Sequence, residues 1–344
     1  KRYKRQKGSD RDIQTMKNME SMKKVVILAA QNSVLSTIAS PMDMFLQVGV
    51  LWNVTMGEMP APIFDVKIVT SDGQPVTAIS QVPIVPACSM LDIEEVDLII
   101  IPSQGFMFDP EAKDHHERIE WLRDWYEKGA HLASVCGGAF TLASTGLLNG
   151  KTATTHWGMA KNFKKMFPEV DLKTDLLVTD EGRLFCGGGI SADLNLSLYL
   201  IEKYCGREMA LQSSRCTMVD MDCTSQAPFS MFSPEKNHGD SKILEAQHGM
   251  EKNLRSKLDI EAMAMEADMS LRQFNRRFRS ATGESVTNYL QLIRVDAAKV
   301  ELVNGDSAFE EISPQVGYEN VSFFRRVFKK VTSLTPAEYR RRFS

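Results

Sequence analysis

Strand-sized apolar runs alternate with helical patterns through the first two-thirds of the chain. Val25 to Ala30 (VVILAA), Asp65 to Thr70 (DVKIVT), Asp97 to Ile101 (DLIII) and His131 to Val135 (HLASV) are four such runs. Continuous apolar runs of this length predict strands of a parallel sheet covered on both faces. Between them, His116 to Lys128 carries Ile119, Leu122 and Trp125 on one stripe, the mark of an amphipathic helix. Strand and helix in alternation predict an open α/β domain. The pattern stops near Glu208. Pro228 to Ser241 (PFSMFSPEKNHGDS) is rich in turn-forming residues, and from Lys242 on every periodic stretch is helical. The expected organisation is an N-terminal arm over 1–23, an α/β domain over 24–206, a connecting segment over 207–241 and an all-helical domain over 242–344.

The helical domain repeats one grammar twice. Ile260, Met263, Ala264 and Ala267 mark a short helix, and Ser270 is placed to cap the next one, SLRQFNRRFRSAT. Phe274 and Phe278, spaced i and i+4, face inward with Leu271. Arg272, Asn275, Arg276 and Arg279 are left outward, and Gly283 closes the helix. In the second copy Phe309, Ile312 and Val316 mark the short helix, Gly317 to Glu319 the turn, and Asn320 the cap of VSFFRRVFKKVTS. Phe324 and Phe328 again lie inward, with Ser322, Arg325, Arg326 and Lys329 outward. A long helix from about Ser285 to Val303 joins the copies. Short helix, tight turn and cationic second helix are the elements of a helix-turn-helix.

This segment resembles the DNA-binding domain of the AraC/XylS family. The resemblance rests on S-x-R-x-F-x-R-x-F-R-x-x-x-G from Ser270 to Gly283, then Tyr289, Leu290, Arg294, Ala297 and Ala298. It continues through G-Y-E-N-x-S-x-F-x-R-x-F-K from Gly317 to Lys329, then Thr335, Pro336, Tyr339 and Arg340. Val286 stands where the family has proline, and Ser333 where it has glycine. The resemblance implies a two-part reader of double-stranded DNA. A connecting helix of ~18 residues spans roughly 27 Å and sets the two readers on successive major-groove segments. Position in the motif makes Arg272, Asn275, Arg276, Ser322, Arg325 and Arg326 the expected base contacts, with Arg279 and Lys329 on phosphate.

The sharpest chemistry in the first domain is ASVCGGAF, which puts Cys136 at a strand-to-helix turn between small residues. Such an elbow exposes a nucleophile, and a following helix N-terminus lowers a thiol's pKa. His156, in TTHW, is a candidate partner base. Together with DLIIIPSQG, GLLNGKTATTHW and FCGGGISADLNLSLYLI, the elbow resembles the glutamine-amidotransferase-like superfamily that includes the PfpI peptidases. AraC-type regulators of the GlxA-like group carry such a domain. The resemblance implies a flavodoxin-like sheet over roughly 24–206. Two departures bear on activity. Enzymes of the superfamily place a carboxylate near the cysteine from the loop after the first strand, and here Thr37 holds that position, with Asp43 beyond it. Pro102-Ser103-Gln104-Gly105 replaces the usual P-G-G and alters the candidate oxyanion loop.

Three readings of this domain follow: a ligand sensor without turnover, a dimerisation scaffold, or a cysteine hydrolase or amidase with a DNA-binding tail. The sensor reading places the ligand at Thr37, Ser103, Gln104, Gly105, Cys136, Gly137 and His156, with Cys136 and His156 as vestigial catalytic residues. An oxidisable Cys136 thiolate is a further hypothesis. The effector is a small molecule, nitrogen-containing by family analogy, and a homodimer is expected, with RNA polymerase a candidate partner.

Charge fits a sensor joined to a reader. Residues 241–344 balance at +3 and residues 25–240 at −12, with +6 in the first 24. The basic N-terminus leads into no signal-type apolar core, no run reaches the ~20 apolar residues of a membrane helix, and the expected location is the cytoplasm. Six cysteines without a CxxC pair read as free thiols. Cys205, Cys216 and Cys223 crowd one region, but no histidine stands at zinc-ligand spacing among them, and no metal or cofactor is expected.

Overall fold

The computed structural model describes residues 22–256 and 259–344. They form two compact units, which divide between Gln226 and Ala227. The arm expected over 1–23 lies almost wholly outside the described residues, and Lys23 already opens the first strand.

The first unit is built on a seven-stranded sheet of β1 (Lys23–Leu28), β2 (Phe64–Thr70), β3 (Cys88–Ser89), β4 (Leu98–Ile101), β5 (His131–Val135), β6 (Val178–Asp180) and β7 (Leu184–Gly187). Its order is β6-β7-β5-β4-β1-β2-β3. All neighbours run parallel except β6, which pairs antiparallel with β7. The longer strands β2-β1-β4-β5-β7 give the flavodoxin-like order. In register, Ile27 stands between Ile68 and Ile100, Ile100 pairs Ala133, and Ala133 pairs Phe185. Every residue of β4 is buried, so the apolar runs are strands shielded on both faces.

The covering helices are α1 (Ser36–Leu46), α2 (Leu51–Thr55), α3 (His115–Glu127), α4 (Gly138–Ser144), α5 (Ala160–Met166), α6 (Ala192–Cys205) and α7 (Arg207–Thr217). α1 packs with α6, and α3 with α4. Right-handed crossovers put these two groups on opposite faces of the sheet. The expected connecting segment 207–241 is not one linker. Residues 207–217 form α7, whose Ala210 is buried against α6, and the first unit runs on to Gln226. The amphipathic period of α7 was masked by its two serines and three charges.

The second unit holds, among the described residues, α8 (Ser241–Lys252), α9 (Ile260–Glu266), α10 (Leu271–Thr282), α11 (Val286–Asn304), α12 (Phe309–Gln315), α13 (Val321–Thr332) and α14 (Pro336–Phe343). Ser270 caps α10 in a reciprocal box with Gln273, and Asn320 caps α13 by accepting from the Phe323 amide. Two apolar clusters form, one around Phe274, Phe278 and Tyr289, the other around Phe324, Phe328 and Tyr339. α11 contributes Tyr289 to the first and Val295 to the second, so the long helix is the shared spine. Gly283 and Ser333 both end their helices in the left-handed conformation, at φ 79° and 61°. Ser333 therefore adopts the glycine geometry of that position at some steric cost. No helix among the described residues is long and apolar enough to cross a membrane.

Candidate functional site

The sheet's carboxyl edge carries the elbow. β5 ends at Val135, and Cys136 turns the chain at φ 53°, left-handed for a residue with a Cβ. The turn is pinned on both sides: the Cys136 amide donates to Gly187 O at 2.8 Å, and Thr155 Oγ1 donates to Cys136 O at 2.8 Å. Gly138 opens α4 so close to β4 that a Cβ there would stand 2.2 Å from Ile101 O. The close approach of helix and strand requires that glycine.

The loop after β4 fills the space an enzyme would keep open. Ser103 is fully buried, and its Oγ accepts from the Gly105 amide at 3.0 Å and from the Gly137 amide at 3.1 Å. The same hydroxyl bonds the Cys136 thiol. Gly105 and Gly137 are the two backbone donors from which an oxyanion hole at this elbow would be built, one from the β4 loop and one following the nucleophile. Both are spent on a side chain of the protein itself. Ser103 is in turn fixed through its backbone, whose amide donates to Thr37 Oγ1 at 3.1 Å while Thr37 donates to Val34 O at 2.7 Å. Gln104 donates to Gln31 O at 3.0 Å.

Cys136 itself differs from the sequence expectation. It is buried rather than exposed. Burial pushes its thiol pKa up and the nearby Asp193 charge adds to that, while Ser103 and the Gly137 amide pull the other way. The expected lowering by the α4 terminus is overturned, because loss of water around the sulfur outweighs it. The low-pKa, exposed thiolate required for peroxide sensing is absent for the same reason.

His156 does not complete a catalytic pair. Burial lowers its pKa, so the ring is neutral at pH 7. Its Nδ1 accepts from the Gly158 amide at 3.1 Å, and the ring stacks on Trp157 with centroids 5.3 Å apart. With Nδ1 accepting, Nε2 carries the proton, and neither nitrogen is free to take one from a thiol. The loop is held by Gln226, buried in a segment read as linker. Gln226 accepts from the Trp157 amide and donates to Thr154 Oγ1 and Thr155 O.

Of the seven residues expected at a ligand site, Thr37, Ser103, Gly105, Cys136 and Gly137 are thus joined in one closed hydrogen-bonded cluster. Gln104 flanks it, and His156 turns to its own loop. Gly105 also lines a cavity of about 370 Å³. One residue escaped the sequence reading. Asp193, on α6, is buried with an unpartnered Oδ2, and burial raises its pKa to about 6. Its charge acts on Cys136, where it adds to the rise of the thiol pKa. The signal was a lone acid inside the apolar run ISADLNLSLYLI.

In the second unit, Arg272, Asn275, Arg276 and Arg279 on α10 and Ser322, Arg325, Arg326 and Lys329 on α13 are all exposed. Phe274, Phe278, Phe324 and Phe328 are fully buried behind them. Two of the expected base readers are engaged at home. Asn275 Nδ2 donates to Leu271 O at 3.0 Å, and Arg325 pairs with Glu310 on α12. Arg294 is not a reader. It is buried, donates to Leu254 O and Ser256 O, and lies over the Tyr318 ring.

Comparison with known proteins agrees with both halves. Residues 23–202 match the DJ-1/PfpI family and residues 263–342 a helix-turn-helix domain. The HTH-type transcriptional regulator CdhR of Pseudomonas aeruginosa is 24% identical over 81% of this chain and 82% of its own length. The HTH-type transcriptional regulator GlxA of Rhizobium meliloti is 30% identical over 64% of this chain and 68% of its own. An enzyme, the isonitrile hydratase of Pseudomonas putida, is 27% identical over 51% of this chain and 72% of its own. The first unit has the DJ-1/PfpI elbow without the open donors and free base of a catalyst, and the second has the paired helix-turn-helix units of a DNA reader. The chain belongs to the DJ-1/PfpI family and is an AraC-type transcriptional regulator.

Proposed function

We propose that this protein couples a small-molecule effector, held by the first unit without turnover, to sequence-specific binding of double-stranded DNA by the second. The observation that carries the reading is the occupation of both oxyanion donors by Ser103 Oγ. A domain of this family whose donors are internally consumed keeps a binding fold and gives up the stabilisation that acyl chemistry needs. The exposed cationic faces of α10 and α13 supply the output. In this reading Arg272, Arg276 and Arg326 contact base edges, Arg279 and Lys329 contact phosphate, and the protein acts in the cytoplasm as a homodimer that touches RNA polymerase when bound.

The test is selection from a random duplex library with the full-length chain, followed by titration of the winning site at several salt concentrations. A motif with two half-elements about one helical turn apart, weakened by Arg276→Ala and by Arg326→Ala, is the expected result. The salt slope then counts the phosphates engaged. Binding indifferent to both arginines, with and without a metabolite panel, would remove the reading. Light scattering at micromolar concentration tests the dimer, and a monomer would exclude it.

A further inference from the structure

We propose that the cavity beside the elbow is the effector site and that it takes an amphipathic monoanion, a compact apolar body ending in a carboxylate. This rests on the sensor reading above and names its ligand class. At about 370 Å³ the cavity falls in the range of small-molecule pockets. Its floor is apolar and rigid. Phe140 and Met159 are buried, and the Phe108 ring is held from behind by Phe140 at 5.3 Å and His115 at 5.4 Å. Its edge carries Phe106, 76% exposed, a large aromatic with nothing laid over it. An uncovered aromatic on the rim of a concave apolar surface marks a place where something apolar docks.

The polar side chains come from one direction. Asn162 and Lys165 on α5 line the same cavity, and no carboxylate among the described residues does. Lys165 is exposed and has no ion-pair partner among the described residues. A cationic ligand gains attraction from the phenylalanine faces but meets the like charge of Lys165, with no carboxylate at the cavity to offset it. A sugar or a dianionic phosphate would bury more polar atoms than Asn162 and Lys165 can satisfy. A monoanion puts its apolar body on the rings and its carboxylate between the Lys165 ammonium and the Asn162 amide. The pocket also shares Gly105 with the closed cluster, so an occupant presses on the loop that Ser103 holds.

The experiment is calorimetric titration of the full chain with phenylacetate, phenylethanol and phenethylamine, which share a ring and differ in the polar end. The expected result is saturable binding of phenylacetate at least tenfold tighter than of the other two. Lys165→Glu, a surface change, abolishes that preference, while Lys164→Glu, outside the cavity, leaves it intact. Phe106→Ala weakens phenylacetate by at least threefold. Equal or tighter binding of the amine or alcohol, retention of phenylacetate affinity in Lys165→Glu, or no binding of any of the three would overturn the assignment. Repeating the titration with the selected DNA present separates this from the broader reading. Lys165-dependent binding that leaves DNA affinity unchanged keeps the site and removes the coupling. A metabolite that shifts DNA affinity while phenylacetate fails to bind keeps the coupling and removes the site.

Discussion

Ser103 Oγ stands 3.1 Å from the Gly137 nitrogen and accepts its hydrogen bond, so the hydroxyl of one loop takes up the donor that a substrate oxygen would need. A Cβ on Gly137 would come within 2.9 Å of that oxygen, which shows how little room remains. Replacing Ser103 with glycine frees two amide donors, one buried and one partly buried. Each unsatisfied donor costs on the order of 1–3 kcal/mol, partly recovered when water enters. We expect Ser103→Gly to lose about 2 kcal/mol in urea unfolding. A Ser103→Gly protein as stable as the wild type would mean that the two amides find other partners.

Cys136 is expected to be a slow thiol. Its folded pKa lies above its unfolded one, because burial disfavours the thiolate. Native protein at pH 7.5 should react with iodoacetamide at Cys136 far more slowly than after unfolding in urea. The native rate should climb only above the ordinary thiol range, near pH 8.5. The linkage sign follows: stability from the neutral thiol is fully present below the unfolded pKa and is lost as pH rises through the folded one. Peroxide followed by intact mass should add no oxygen to Cys136, and a +16 Da product on this residue would contradict its burial.

Asp193 carries the opposite chemical label and the same sign. Burial raises its pKa to about 6, above the unfolded value, so deprotonating it costs native-state stability as pH climbs from about 4 to about 6. Asp193→Asn removes that cost. Its unfolding free energy should exceed the wild type's by up to about 3 kcal/mol at pH 8, and the gain should shrink steadily below pH 6. A gain independent of pH would show that the carboxylate's charge is not the cause.

On the reader, Glu310 pairs with Arg325, one of the expected base readers. Glu310→Ala removes a negative charge from the reader and the competitor for that guanidinium. We expect it to tighten operator binding severalfold. Arg326→Ala should weaken it by about 1–3 kcal/mol and relax the sequence preference in one half-element only. Filter binding of the selected site and of single-base variants reads both. If Glu310→Ala leaves affinity unchanged, Arg325 takes no part in the complex.

Much of this was written in the chain. The strands were legible because VVILAA and DLIII leave no polar edge to be solvated, and the helix-turn-helix units because phenylalanines four apart force the arginines outward. Ser103 stood out as a departure in the loop after β4, yet its consequence depended on a three-way meeting with Gly105, Gly137 and Cys136, residues up to 34 positions apart. The direction of the Cys136 shift was missed because an elbow's exposure is decided by what packs over it, not by its own glycines. Asp193 was hidden inside an apolar stretch, where periodicity assigns a polar residue to the wet face by default. The connecting segment failed for a related reason: serines and charges were read as turn and linker while Ala210 anchored α7.

Arg294 ties the end of the α8 region, through Leu254 and Ser256, to Tyr318 in the turn before α13. Gly317 leaves the space for this, since a Cβ there would stand 2.6 Å from the guanidinium and 2.2 Å from Leu254 O. One desolvated cation is therefore a hinge pin seized in place, and the two reading heads on either side of it form a calliper of fixed gauge. Such an instrument accepts only operators cut to its span. One extra base pair between the half-elements turns the second by about 35° around the duplex axis, and the DNA, not the protein, must bend or untwist to meet it.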